Sequence, residues 1–146
     1  MTTLRITNAS RDSVLATHAQ IANTPDIRRN GLIGTTAREF QPGAGLFFPE
    51  CSAIHTVEMS MSIDVVFIDM LKNRIQKLVQ HAEPGCHFNA LVPAAISSVL
   101  ELPAGVIELT GSQCGDVIVI MSSGHCSGEE LGRIAAMGSL AWPHRD

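Results

Sequence analysis

Apolar and polar positions along this chain alternate in short runs broken by glycine, proline and asparagine, a pattern that predicts strands rather than long helices. Residues 14–22 (VLATHAQIA) place Leu15, Thr17, Ala19 and Ile21 on one face of a predicted strand. Leu46, Phe47 and Phe48, closed by Pro49, predict a shorter one. Residues 64–69 are the strongest strand, dense in β-branched and aromatic side chains, with Asp64 on the same face as Val66 and Ile68. Lys72 and Asn73 predict a turn into a partner at residues 75–81. There Ile75, Lys77, Val79 and His81 share one face and Gln76, Leu78 and Gln80 the other, so one side is expected to be wet. Further strands are predicted at residues 99–102, ending at Pro103, and at 117–120, after a turn at Gly115-Asp116.

Two short helices interrupt this pattern. Thr24 is a good N-cap, Pro25 suits the first helical position, Asp26 favours the positive helix end and Gly31 stops the run, which predicts a helix over Pro25–Asn30. Residues 104–110 predict a helical turn before Gly111. Beyond Ser122 the chain is rich in Gly and Ser, with a weak helical stretch at 129–137. Residues 122–146 therefore read as a tail, either mobile or docked through Leu131, Ile134 and Met137, behind a single β-rich domain over residues 1–121. The expected fold is mostly β, α+β at the margin: a small antiparallel β-sandwich or barrel-like domain with two short helices. The regular strand–helix alternation of a parallel α/β fold is missing.

The length of 146 residues fits one domain, and 45% hydrophobic against 16% charged content can bury a core. A net charge of −4, with Arg28-Arg29 the only dense cationic pair, excludes the clustered cations of a nucleic-acid binder and disfavours an anionic membrane surface. No apolar run approaches the roughly 18 residues of a membrane span. The first eight residues lack the apolar stretch of a secretion signal, so a cytoplasmic location is expected. Asn8-Ala9-Ser10 matches a glycosylation sequon that has no use without such a signal. Cys51, Cys86, Cys114 and Cys126 are irregularly spaced with no C-x-x-C, which points to reduced, half-buried thiols, the alternative being two disulfides in an oxidising compartment, and not to a zinc ribbon or redox pair.

Phosphate-loop, dinucleotide and H-E-x-x-H motifs are all missing. Gly124-His125-Cys126-Ser127-Gly128 has the shape of a nucleophile elbow, but too little chain follows it to supply the other catalytic groups. The interleaved segment 51–69 holds the candidate chemistry. Cys51 and His55, four residues apart, are spaced to reach one metal ion; the alternative is a small core thiol beside a histidine bonded to backbone. Asp64, if buried, needs Arg28, Arg29, Thr56 or backbone N–H groups as partners, and serves either the fold or a ligand. Glu101, between Leu100 and Leu102, poses the same question. Met59 and Met61 fit soft copper(I) ligation or plain core filling.

The same residues carry a family pattern. Arg28-x-x-Gly31-Leu32-Ile33, Gly45-Leu46-Phe47, Ile54-His55-Thr56-x-x-Met59, Ile63 to Asp69, Leu100-Glu101-Leu102-Pro103-Ala104-Gly105 and Gly115-Asp116, in that order, resemble domain-of-unknown-function family 192 from about Val14 to Ile120. The resemblance implies a small β-sandwich or barrel-like domain of bacteria and archaea, with many exported members and no established activity or catalytic residue. Ile33 stands where that family often has Met, and Val57-Glu58 where Phe-Gly is common.

The leading expectation is a binding domain whose pocket is formed by Arg28, His55, Thr56, Asp64 and Glu101 and holds a small polar ligand or a metal ion, the latter on Cys51 and His55. No cofactor is specified. One alternative is an enzyme with His55 as acid–base oriented by Asp64 or Glu101. The other is an interaction module that docks through Phe47-Phe48 or the tail.

Overall fold

A computed structural model of the protein describes residues 3–122. The predicted tail helix, the 124–128 motif and Cys126 lie outside the described residues. Within them the chain forms strands β1 (Thr3–Asn8), β2 (Ser13–Ile21), β3 (Ala44–Phe48), β4 (Ala53–His55), β5 (Ile63–Asp69), β6 (Arg74–Ala82), β7 (His87–Asn89), β8 (Ser97–Pro103) and β9 (Ile118–Ser122). Two short helices, α1 (Pro25–Asn30) and α2 (Val106–Thr110), sit where the sequence predicts them. Thr24 caps α1 by accepting the Ile27 N–H, and Gly31 follows at φ +51°.

Seven strands form one sheet in the order β6-β5-β8-β3-β2-β1-β9, and β4 and β7 pair separately. The pairs are antiparallel except β2 with β3, which run parallel. That departs from a purely antiparallel expectation because residues 22–43 make a crossover long enough to return the chain in the same direction, carrying α1 with it.

The two outermost strands of the large sheet meet at one end. Arg74 bridges to Val117, Ile75 N–H donates to Asp116 O at 2.9 Å, and Ile118 N–H donates to Asn73 O at 2.9 Å. The sheet is therefore a partly closed barrel rather than an open layer. Its inner face buries Leu4, Ile6, Leu15, Val66, Ile68, Leu100 and Leu102, with Val106 and Ile107 of α2 plugging the end. Its other face carries Leu46, Phe48, Val65, Phe67 and Val99 beneath Leu32, Phe40, Ile54, Met59 and Met61. Strands β5 and β8 are buried at every position, which explains the continuous apolar run from Ile63 to Ile68.

Some local readings change. β1 lies outside the strands that the sequence predicts, yet its Leu4 and Ile6 are fully buried. In β2 the register steps from Leu4–Ala19 to Ile6–Ala16, so a bulge turns Ala16 and Ala19 inward and Thr17 out. Phe47 and Phe48 are both buried, so they offer no free docking surface. Asn8 of the sequon is buried too, its Nδ2 donating to Ser112 Oγ and to Asp116 Oδ2, each at 2.9 Å.

Candidate functional site

The parity of a strand decides which of the candidate residues meet. On β5 and β8, Asp64 lies opposite Leu102 and Val65 opposite Glu101. Leu102 belongs to the barrel interior and Val65 to the opposite face, so the two candidate carboxylates point to opposite sides of the sheet.

Asp64 serves the fold. Its Oδ1 accepts the His81 N–H at 2.9 Å, and its Oδ2 accepts the N–H groups of Gly105 at 3.1 Å and Ile107 at 2.8 Å. It thereby caps the start of α2 and pins β6 where His81 takes φ +52°, between the register positions Ile63–Ala82 and Val65–Val79. A pocket shared by His55 and Asp64 is not what forms, because alternation turns Asp64 into the barrel. Thr56 is likewise buried among backbone: its hydroxyl donates to Glu83 O at 2.6 Å and accepts the Cys86 N–H at 2.9 Å.

The remaining candidates do share a site. A cleft of about 220 Å³ lies between α1, β4 and β8, lined by Arg28, Arg29, Leu32, Phe48, Cys51, Ile54, His55, Met59 and Glu101, among others. Arg28 braces its wall: Nη1 donates to Ala22 O at 3.2 Å and Pro49 O at 2.8 Å, and Nη2 to Glu50 O at 3.3 Å. The Cys51 thiol donates to Ala53 O at 3.2 Å. Burial pushes its pKa up, with the Arg28 charge pulling it down and Glu101 adding to the rise. It is thus a thiol rather than the thiolate that metals prefer.

His55 is exposed, and its Nδ1 accepts the Val57 N–H at 3.2 Å, which leaves the ring proton on Nε2. Its ring lies 5.8 Å from that of His87, and among the described residues no carboxylate is hydrogen-bonded to it. The acid–base reading of His55 therefore lacks its orienting partner. Among the described residues no three of His, Cys, Asp and Glu are grouped to hold a metal ion, so Cys51 and His55 remain two neighbours in one cleft. Met61 fills core, as does Met59 at the cleft floor.

Glu101 is the exceptional group. It is 3% exposed, and its Oε1 is buried without a hydrogen-bond partner, the one such side-chain atom among the described residues. Burial in this apolar floor pushes its pKa from the ordinary 4.5 up to about 8.

The family model of DUF192, described as "Uncharacterized ACR", matches residues 6–120. The chain belongs to that family. Two crystal structures share the fold. One, a protein of unknown function from Novosphingobium aromaticivorans DSM 12444, superposes with a TM-score of 0.66 at 21% identity, over 80% of this chain and 83% of that one. The other, from Sinorhizobium meliloti 1021 and provisionally described as a transcription regulator, gives 0.67 at 22% identity, over 85% of this chain and 95% of that one. No curated protein is significantly similar in sequence. At these identities the likeness concerns the DUF192 fold alone. Among the described residues of this DUF192 protein, no helix is long and apolar enough to cross a membrane.

Proposed function

We propose that this protein is a small-molecule binding domain whose ligand seats in the Arg28–Cys51–His55–Glu101 cleft and brings a polar group to Glu101. One observation carries the reading: a buried polar atom of a cleft-lining residue, Glu101 Oε1, has no hydrogen-bond partner among the described residues. Leaving such a group unsatisfied costs roughly 1–3 kcal/mol, whereas the other buried carboxylate of this sheet, Asp64, is fully bonded to backbone. A carboxyl kept buried and unpaired against stability at a cleft is the mark of a site awaiting its ligand.

The test joins stability to occupancy. The folded protein holds Glu101 protonated up to about pH 8, while the unfolded chain ionises near 4.5, so Glu101 makes stability fall as pH rises between those values. Glu101→Leu is expected to raise stability at pH 7 by about 1–3 kcal/mol in urea unfolding and to remove that slope. Native mass spectrometry with elemental analysis of the full chain is expected to show a bound small molecule that the variant lacks. A variant less stable than the parent, together with a parent that carries nothing, would make Glu101 a structural residue and end the reading.

A further inference from the structure

Three features of the same cleft restrict what its ligand can be, and the inference rests on the cleft being a binding site. The first is charge. Among the described residues the ion pairs are Arg11 with Asp116 and Arg29 with Asp26, so Arg28 faces the cleft with no carboxylate partner. Three of its five N–H groups hold backbone carbonyls, which leaves Nε–H and one Nη2 hydrogen. The second is the state of Glu101. The titratable and charged groups around it are Arg28 and Arg29 from α1, Cys51 from the loop after β3 and His55 from β4, while its cross-strand neighbours Val65 and Leu46 are apolar. Among the described residues no cation is bonded to the carboxyl, and burial keeps it a neutral acid at pH 7, able to donate a proton in a hydrogen bond. Arg28 and Glu101 also share a neighbourhood: both line the cleft together with Cys51. The third is the wall of Leu32, Phe48, Ile54 and Met59, with room for about seven molecules of water size at roughly 30 Å³ each.

A cation in this cleft meets a positive mouth and no anion. A carboxylate meets an acid O–H donor, spare guanidinium N–H groups and an apolar wall for its hydrocarbon, and charge-assisted bonds of this kind are the strong ones. We propose that the ligand is a small aliphatic or aromatic monocarboxylate, its oxygens held by the Glu101 carboxyl and Arg28 and its hydrocarbon against Phe48, Ile54 and Met59.

The full chain would be titrated with sodium butyrate and sodium benzoate at constant ionic strength between pH 6 and 9, followed by amide NMR shifts at Arg28, Cys51 and His55. Butylamine and butyramide serve as matched cation and neutral probes. Butyrate or benzoate is expected to bind, with affinity falling about tenfold per pH unit above pH 8 as Glu101 loses its proton. Glu101→Gln, which keeps an N–H donor, is expected to retain binding and lose the pH dependence, and Glu101→Leu to weaken it more than tenfold. Carboxylate binding that is unchanged in Glu101→Leu, or preferential binding of butylamine that tightens as pH rises, overturns the carboxylate assignment. If no carboxylate binds while the parent chain carries another molecule that Glu101→Leu lacks, the ligand class is wrong and the binding cleft stands. If nothing binds and nothing is carried, both fall.

Discussion

Glu58 has a backbone conformation that its side chain does not favour. It sits at φ +68°, in the left-handed region that glycine occupies without strain and that costs other residues about 1 kcal/mol. The turn at this point suits glycine, and this chain makes it with Glu. Glu58→Gly is therefore expected to raise stability by about 0.5–1 kcal/mol in urea unfolding, the greater freedom of glycine in the unfolded chain offsetting part of the gain. A loss of stability would mean that the exposed Glu58 side chain contributes contacts worth more than the strain. Cys51 and His55 illustrate what residue type alone fails to resolve. Their spacing brings them to one cleft, yet a raised thiol pKa and a ring nitrogen occupied by the Val57 N–H set their chemistry.

At the scale of elements, Asp64 joins strand β5 to helix α2 and to the bend of β6 by three backbone N–H groups. Asp64→Ala leaves those three donors unpaired, the Ile107 N–H in a buried position, and a loss of about 3 kcal/mol or more is expected in chemical denaturation. A smaller cost, below about 1 kcal/mol, would show that water replaces the carboxylate. The elements themselves were largely legible in the sequence. The Thr24–Pro25–Gly31 signals bound α1, and the apolar density of residues 64–69 marked the central strand. Alternation also placed Asp64 correctly with Val66 and Ile68. What it did not reveal was that Glu101, a neighbouring-strand residue of equal promise, faces the other way, because that depends on cross-strand register. β1 escaped notice because two buried side chains, Leu4 and Ile6, give too short an alternation to stand out. The bulge in β2 breaks the very period on which its faces were assigned.

At the scale of the molecule, the closing seam between β6 and β9 hangs on Asp116. Its carboxylate accepts from Arg11 Nε at 3.0 Å, Asn8 Nδ2 at 2.9 Å and Gln113 N–H at 2.8 Å, while its backbone oxygen holds Ile75. Burial works to raise its pKa, but the bonds from Arg11, Asn8 and Gln113 prevail and hold it below the ordinary 3.8. A depressed carboxylate stabilises the fold above its unfolded value and loses that contribution as pH falls through the folded one. Asp116→Asn is thus expected to cost about 2 kcal/mol at pH 7, with the difference shrinking below pH 3.8. Hydrogen exchange at the Ile75 and Ile118 amides should quicken in the variant before that of β5; equal acceleration everywhere would show that the seam is not a separate unit. The Arg28 brace, finally, has a consequence for how such sequences diverge. Arg28 grips the main chain at Ala22, Pro49 and Glu50, and a carbonyl is the same whatever side chain it carries. Arg28 therefore makes no demand on the side chains at those three positions, whatever else constrains them, so the arginine should stand in an alignment as a fixed column that does not covary with any of the three.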